Sequence, residues 1–106
     1  MNKDLKIARA EDLSMALNEF DTDDDSMYLS GGATVVALLN ANLVSPTKLV
    51  SLKNVNELHG IEEKPDGRVQ IGAMTRHSQT AGSTVLKGSL SGIREAASKI
   101  ANPAVR

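Results

Sequence analysis

The residues of this chain best suited to chemistry are two glycines flanked by hydroxyls, Ser30-Gly31-Gly32-Ala33-Thr34. They follow the apolar triplet Met27-Tyr28-Leu29 and run into the apolar stretch Ala33 to Ala41, including Val35. That order reads as buried strand, tight turn, helix. Glycines let backbone N–H groups come close to an anion, and a helix N-terminus adds about half a unit of positive charge. Ser30 and Thr34 supply hydroxyls on both sides. A hydrogen bond to a charged oxygen contributes about 1.5–3 kcal/mol, so three or four together anchor a diphosphate without Lys or Arg. The same residues also suit a plain tight turn, and the pattern leaves both readings open. It has neither the GxGxxG spacing of a dinucleotide fold nor the lysine of a Walker loop.

Other reactive types are scattered. His59 and His77 are the only imidazoles; the first sits in a Leu-His-Gly-Ile turn and the second on a helix surface, and nothing brings them together. No Gly-x-Ser-x-Gly elbow occurs. Glu62 and Glu63 adjoin on a strand and so point to opposite faces. The tract Asp21-Thr22-Asp23-Asp24-Asp25 lacks the central glycine and the twelfth-position glutamate of a calcium loop, so it reads as a solvated loop. The absence of Cys excludes disulfides, thiol nucleophiles, cysteine zinc sites and iron–sulfur clusters held by this chain. Neither a catalytic residue nor a metal site is expected.

The elements that must position the glycine turn follow from periodicity. Asp12 is a good N-cap, and Leu13, Ala16, Leu17 and Phe20 then recur at helical spacing. Met27–Leu29 is a strand, Ala33–Ala41 a buried helix, and Leu49–Leu52 a second strand. Lys64-Pro65-Asp66-Gly67-Arg68 joins Ile61–Glu63 to Val69–Ile71 as a hairpin. A capped helix opens at Thr75. Leu90, Ile93, Ala96, Ala97 and Ile100 mark a last helix that Asn102-Pro103 ends. Met15, Met27 and Met74 read as core filler. Two subdomains are expected, residues 1–60 and 61–106.

Composition narrows the partners. The chain has 106 residues and a net charge of −1. Residues 1–25 hold three basic against eight acidic side chains, net −5, whereas residues 26–106 hold nine against five, net +4. The larger part therefore favours an anionic partner. Phe20 and Tyr28 are the only aromatics, which argues against single-stranded nucleic acid, whose bases need stacking platforms. No run of about 18 apolar residues offers a membrane span, and the charged start does not read as a signal peptide. The expected compartment is the cytoplasm.

Four ordered pieces carry a family resemblance. They are Tyr28-Leu29-Ser30-Gly31-Gly32-Ala33-Thr34-Val35; Pro46-Thr47-Lys48-Leu49-Val50-Ser51-Leu52 with Val55, Leu58, Gly60 and Ile61; Ile71-Gly72-Ala73-Met74-Thr75; and Ile100-Ala101-Asn102-Pro103-Ala104-Val105-Arg106. Together they resemble the N-terminal part of the FAD-binding medium subunit of molybdenum hydroxylases, the molybdopterin dehydrogenase group that contains carbon monoxide dehydrogenase and xanthine dehydrogenase. The resemblance implies an α+β fold of the vanillyl-alcohol oxidase (PCMH) type: a small α/β subdomain, then the start of an α+β subdomain with antiparallel strands. It implies FAD as cofactor. Leu29, Ser30, Gly31, Gly32, Ala33, Thr34 and Val35 would surround the FAD pyrophosphate, and Ile100 and Ala101 would touch the cofactor from the second subdomain. The implied role is electron transfer from iron–sulfur centres through FAD to an acceptor. The iron–sulfur clusters would lie in a small partner subunit and the molybdopterin in a large one. Ala33 and Thr34 stand where the family commonly has Thr-Asp, and Asn40 and Asn42 where many members have Lys and Arg. The family continues past the position of Arg106 into a second glycine loop. The 106 residues are therefore expected to be a piece of such a subunit, binding FAD weakly or not at all alone. The alternative is an interaction module that keeps the fold without the cofactor.

Overall fold

The computed structural model describes residues 5–100, which fall into two compact units divided between Glu57 and Leu58. The first unit is a three-stranded parallel sheet with two helices. β1 (Lys6–Arg9) leads to α1 (Leu13–Asp21), β2 (Ser26–Leu29), α2 (Ala33–Asn40) and β3 (Lys48–Ser51). The strand order is β1-β3-β2. Lys6, Lys48 and Ser26 share one row of the sheet, and Arg9, Ser51 and Leu29 share the last. The β1–α1–β2 connection steps over the central position and β2–α2–β3 steps back by one. Right-handed crossovers then place α1 and α2 on opposite faces.

Side-chain contacts agree with this alternation. Tyr28 faces α1, where its ring stacks on Phe20 with centroids 4.4 Å apart and planes 13° from parallel. Such a pair adds about 0.5–1.5 kcal/mol beyond the area it buries. Lys48 faces α1 too: its Nζ donates to the Glu19 carbonyl and to Glu19 Oε2, both at 3.0 Å, and to the Thr22 hydroxyl. The buried lysine thus holds the end of α1, where carbonyls lack intrahelical partners. Leu29, one residue on from Tyr28, points to the α2 side beside Val36. Ala10, Ala16, Leu39, Leu49, Val50 and Val55 form the core of this unit.

The second unit starts from the antiparallel hairpin β4 (Ile61–Glu63) and β5 (Val69–Ile71), in which Ile61 opposes Ile71. It continues through α3 (His77–Ala81) and a 3₁₀ turn (Gly88–Leu90) into α4 (Ser91–Lys99). Thr80, Leu86 and Ala97 are buried.

Several expectations need correction. The helix expected after Asp12 is α1, but β1 precedes it, a short edge strand whose Lys-Ile-Ala-Arg sequence hides its alternation. α2 is not a buried helix: Leu39 alone among its residues is fully buried and Val36 is 48 % exposed. Leu17 is 54 % exposed, so the packed stripe of α1 is narrower than its apolar spacing, and Met15 is exposed rather than core. The helix after Thr75 begins at His77, with Arg76 as N-cap. The last helix begins at Ser91, because Gly88–Leu90 takes the tighter 3₁₀ form. Asn102 and Pro103 lie outside the described residues.

Candidate functional site

Parallel α/β sheets bind ligands beyond the carboxyl ends of their strands. Here that edge is the row Arg9, Ser51, Leu29, drawn together by the Leu52 N–H donating to the Leu29 carbonyl at 3.0 Å and the Ala10 N–H donating to the Ser51 carbonyl at 3.2 Å. Two helices start from this edge. Each brings backbone N–H groups that no earlier turn can satisfy.

The start of α1 is satisfied from within. The Met15 N–H donates to Asp12 Oδ1 at 2.7 Å. The Leu13 N–H donates to Glu57 Oε1 at 3.0 Å, across 44 residues of chain. Two carboxylates therefore occupy the positive end of that helix.

The start of α2 has no such cover. Its N-cap is Gly32, no side chain caps it, and no charged residue lies in its first turn. The first helical bond is from the Val36 N–H to the Gly32 carbonyl, 2.9 Å. The N–H groups of Ala33, Thr34 and Val35 carry no bond within the described residues. Ser30, Gly31, Ala33 and Thr34 are exposed, while Leu29, Gly32 and Val35 are half-buried. Gly32 has φ +90°, a conformation that side chains oppose. A Cβ there would meet only ordinary contacts, 3.6 Å from Val36 and 3.7 Å from Leu29, so backbone conformation rather than space requires the glycine. Around Gly31 no atom of the described residues, its chain neighbours aside, stands within 4 Å of where a Cβ would be. Among the described residues, amides without partners, open space beside Gly31 and a first turn free of carboxylates fit the diphosphate of a dinucleotide.

Gly31, Gly32, Ala33, Thr34 and Val35 thus lie together at one helix start with Leu29 and Ser30 leading in. Ile100 belongs to the second unit, where it ends α4 in an extended conformation and is 40 % exposed. Ala101 lies outside the described residues. Both aromatics are engaged with each other, so a flat ligand finds no ring of this chain unpaired. His59 and His77 are exposed.

The second unit explains the Ile71–Thr75 piece as architecture. A Cβ at Gly72 would stand 2.2 Å from the Leu58 carbonyl oxygen, so the backbone packs where no side chain fits. The Gly72 N–H donates to the Gly60 carbonyl (2.9 Å) and the Met74 N–H to the Leu58 carbonyl (2.7 Å). The Thr75 hydroxyl accepts from the Gly60 N–H and donates to the Gly60 carbonyl, both at 3.0 Å. Thr75 is therefore a stitch across the base of the hairpin rather than a helix cap.

A family model described as "FAD binding domain in molybdopterin dehydrogenase" matches residues 3–106. The chain is 37 % identical over 86 residues to the 6-hydroxypseudooxynicotine dehydrogenase complex subunit alpha of Paenarthrobacter nicotinovorans, covering 81 % of this chain and 29 % of that protein. It is 36 % identical over 83 residues to the carbon monoxide dehydrogenase medium chain of Afipia carboxidovorans, covering 78 % and 28 %. Among solved structures, carbon monoxide dehydrogenase from Hydrogenophaga pseudoflava superposes with a TM-score of 0.91 at 26 % identity, covering all of this chain and 37 % of that one. Quinoline 2-oxidoreductase from Pseudomonas putida gives 0.88 at 26 % identity, covering 95 % and 35 %. The chain spans about a third of the length of these relatives. The α+β fold is theirs. No helix among the described residues is long and apolar enough to cross a membrane.

Proposed function

Since the chain belongs to the family of FAD-binding domains in molybdopterin dehydrogenase, we propose that it grips the FAD pyrophosphate at the β2–α2 junction through Leu29, Ser30, Gly31, Gly32, Ala33, Thr34 and Val35. In this reading residues 1–60 form the α/β subdomain with the phosphate loop. Residues 61–106 begin the second FAD-binding subdomain, to which we assign Ile100 and Ala101 as cofactor-binding residues by their match to the family. The observation that carries it is the start of α2, which among the described residues has partnerless amides, an open Gly31 and no carboxylate in its first turn. FAD, when bound, supplies the redox chemistry. The chain's residues bind and orient it, and none need move a proton.

The wider role we assign is an electron-transfer subunit in the cytoplasm. It accepts electrons from an iron–sulfur small subunit, served by a molybdopterin large subunit, and hands them through FAD to an acceptor. Support comes from the relatives' names, which describe a medium chain and a subunit of a dehydrogenase complex.

Flavin absorbance of the purified protein, titrated with FAD, tests the site. Weak but saturable binding is expected of these 106 residues, and Gly31→Asp should weaken it at least tenfold, about 1.4 kcal/mol, by putting a carboxylate into the open space beside the amides. Equal affinity of the variant would overturn the site. Failure of both proteins to bind would favour an interaction module that keeps the fold without the cofactor.

A further inference from the structure

We propose that Arg9 is a further anion-binding residue of the same site, reaching the FAD diphosphate from the far strand of the sheet. This rests on the reading of the β2–α2 junction as the diphosphate site. Arg9 ends β1 and shares its row with Ser51 and Leu29. Residues in one row of a parallel ladder point to one face, and alternation sets that face. Tyr28 and Lys48 turn toward α1, so Leu29, Ser51 and Arg9 turn the other way, toward the side of α2. Leu29 and Val36 of that helix both come within 4 Å of where a Cβ on Gly32 would be. Two strand spacings, about 10 Å, separate the backbone of Arg9 from that of Leu29. The small Ser51 side chain stands between them, which leaves the path along the row low.

The guanidinium is exposed and makes no ion pair or side-chain hydrogen bond among the described residues. The nearby carboxylates are committed: Asp12 and Glu57 accept from amides of α1. An arginine offers phosphate a planar fork of donors. Amides alone give the α2 junction direction but only a partial charge, and Arg9 adds the full positive charge that the first turn of α2 lacks.

The test is FAD affinity as a function of ionic strength for the wild-type protein, Arg9→Gln, Arg9→Lys and Gly31→Asp. Arg9→Gln should weaken binding about tenfold and flatten its salt dependence, since one charged contact is lost. Arg9→Lys should restore most of the salt dependence. The two Arg9 variants should keep the wild-type unfolding midpoint, because the Arg9 side chain makes no ion pair or hydrogen bond among the described residues. If Gly31→Asp weakens binding while Arg9→Gln leaves both affinity and salt slope unchanged, Arg9 is not a ligand and the junction stands. If neither substitution matters, the junction reading fails and this inference with it.

Discussion

The two strand-to-helix junctions of the parallel sheet start from the same edge and end differently. After β1 the chain supplies its own anions: Asp12 and Glu57 sit on the amides of α1. After β2 it supplies glycine, and the amides of Ala33, Thr34 and Val35 find no partner among the described residues. One helix start is closed by the fold, and the other has no cap among the described residues. The far ends differ as well. The end of α1 is held by buried Lys48. The end of α2 is closed by backbone alone, with Asn42 at φ 56°, its N–H donating to the Leu39 carbonyl and the Leu43 N–H to the Leu38 carbonyl. This is the Schellman arrangement. A helix built around an external anion needs no internal carboxylate, and one would compete with the ligand.

Substitutions at the two junctions should separate binding from stability. The largest effect is expected from Gly32→Val, which forces a β-branched residue to φ +90°. It should cost about 1–3 kcal/mol of stability and weaken FAD binding more than tenfold; thermal unfolding and flavin titration read both. Next is Asp12→Ala, which uncaps α1 and should cost about 0.5–2 kcal/mol with FAD affinity unchanged. A drop in affinity there would erase the contrast between the junctions. Asn42→Ala, placing alanine in the left-handed region, should cost about 1 kcal/mol. Glu57→Gln keeps an oxygen acceptor for the Leu13 amide and loses only the charge at the helix end, so about 0.3–1 kcal/mol is expected. Chemical denaturation resolves these smaller shifts.

Local chemistry made much of this legible. Asp12 as a cap, the strand–Gly-Gly–helix order and the 61–71 hairpin all depend on neighbours a few residues apart. What escaped sequence reading depends on distance or on exposure. Glu57 caps α1 from 44 residues away, and no spacing rule connects them. β1 was hidden because an edge strand with few buried positions shows no clear alternation. The apolar run of α2 read as buried, yet Val36 is half exposed. Asn42 looked like a missing basic residue, whereas its positive φ gives asparagine a backbone reason to be there. Gly72 and Thr75 drew notice as part of a motif. Their roles, a backbone contact too close for a side chain and a hydroxyl joined to Gly60, appear only in three dimensions.

The central claim concerns particular amides, so the most direct measurement watches them. In ¹H–¹⁵N correlation spectra of the labelled protein titrated with FAD, the N–H signals of Gly31 to Val35 should shift progressively and saturate, while those of Leu13 and Met15, already bonded to carboxylates, should stay in place. Saturable FAD binding that leaves the Gly31–Val35 signals unmoved would contradict the account.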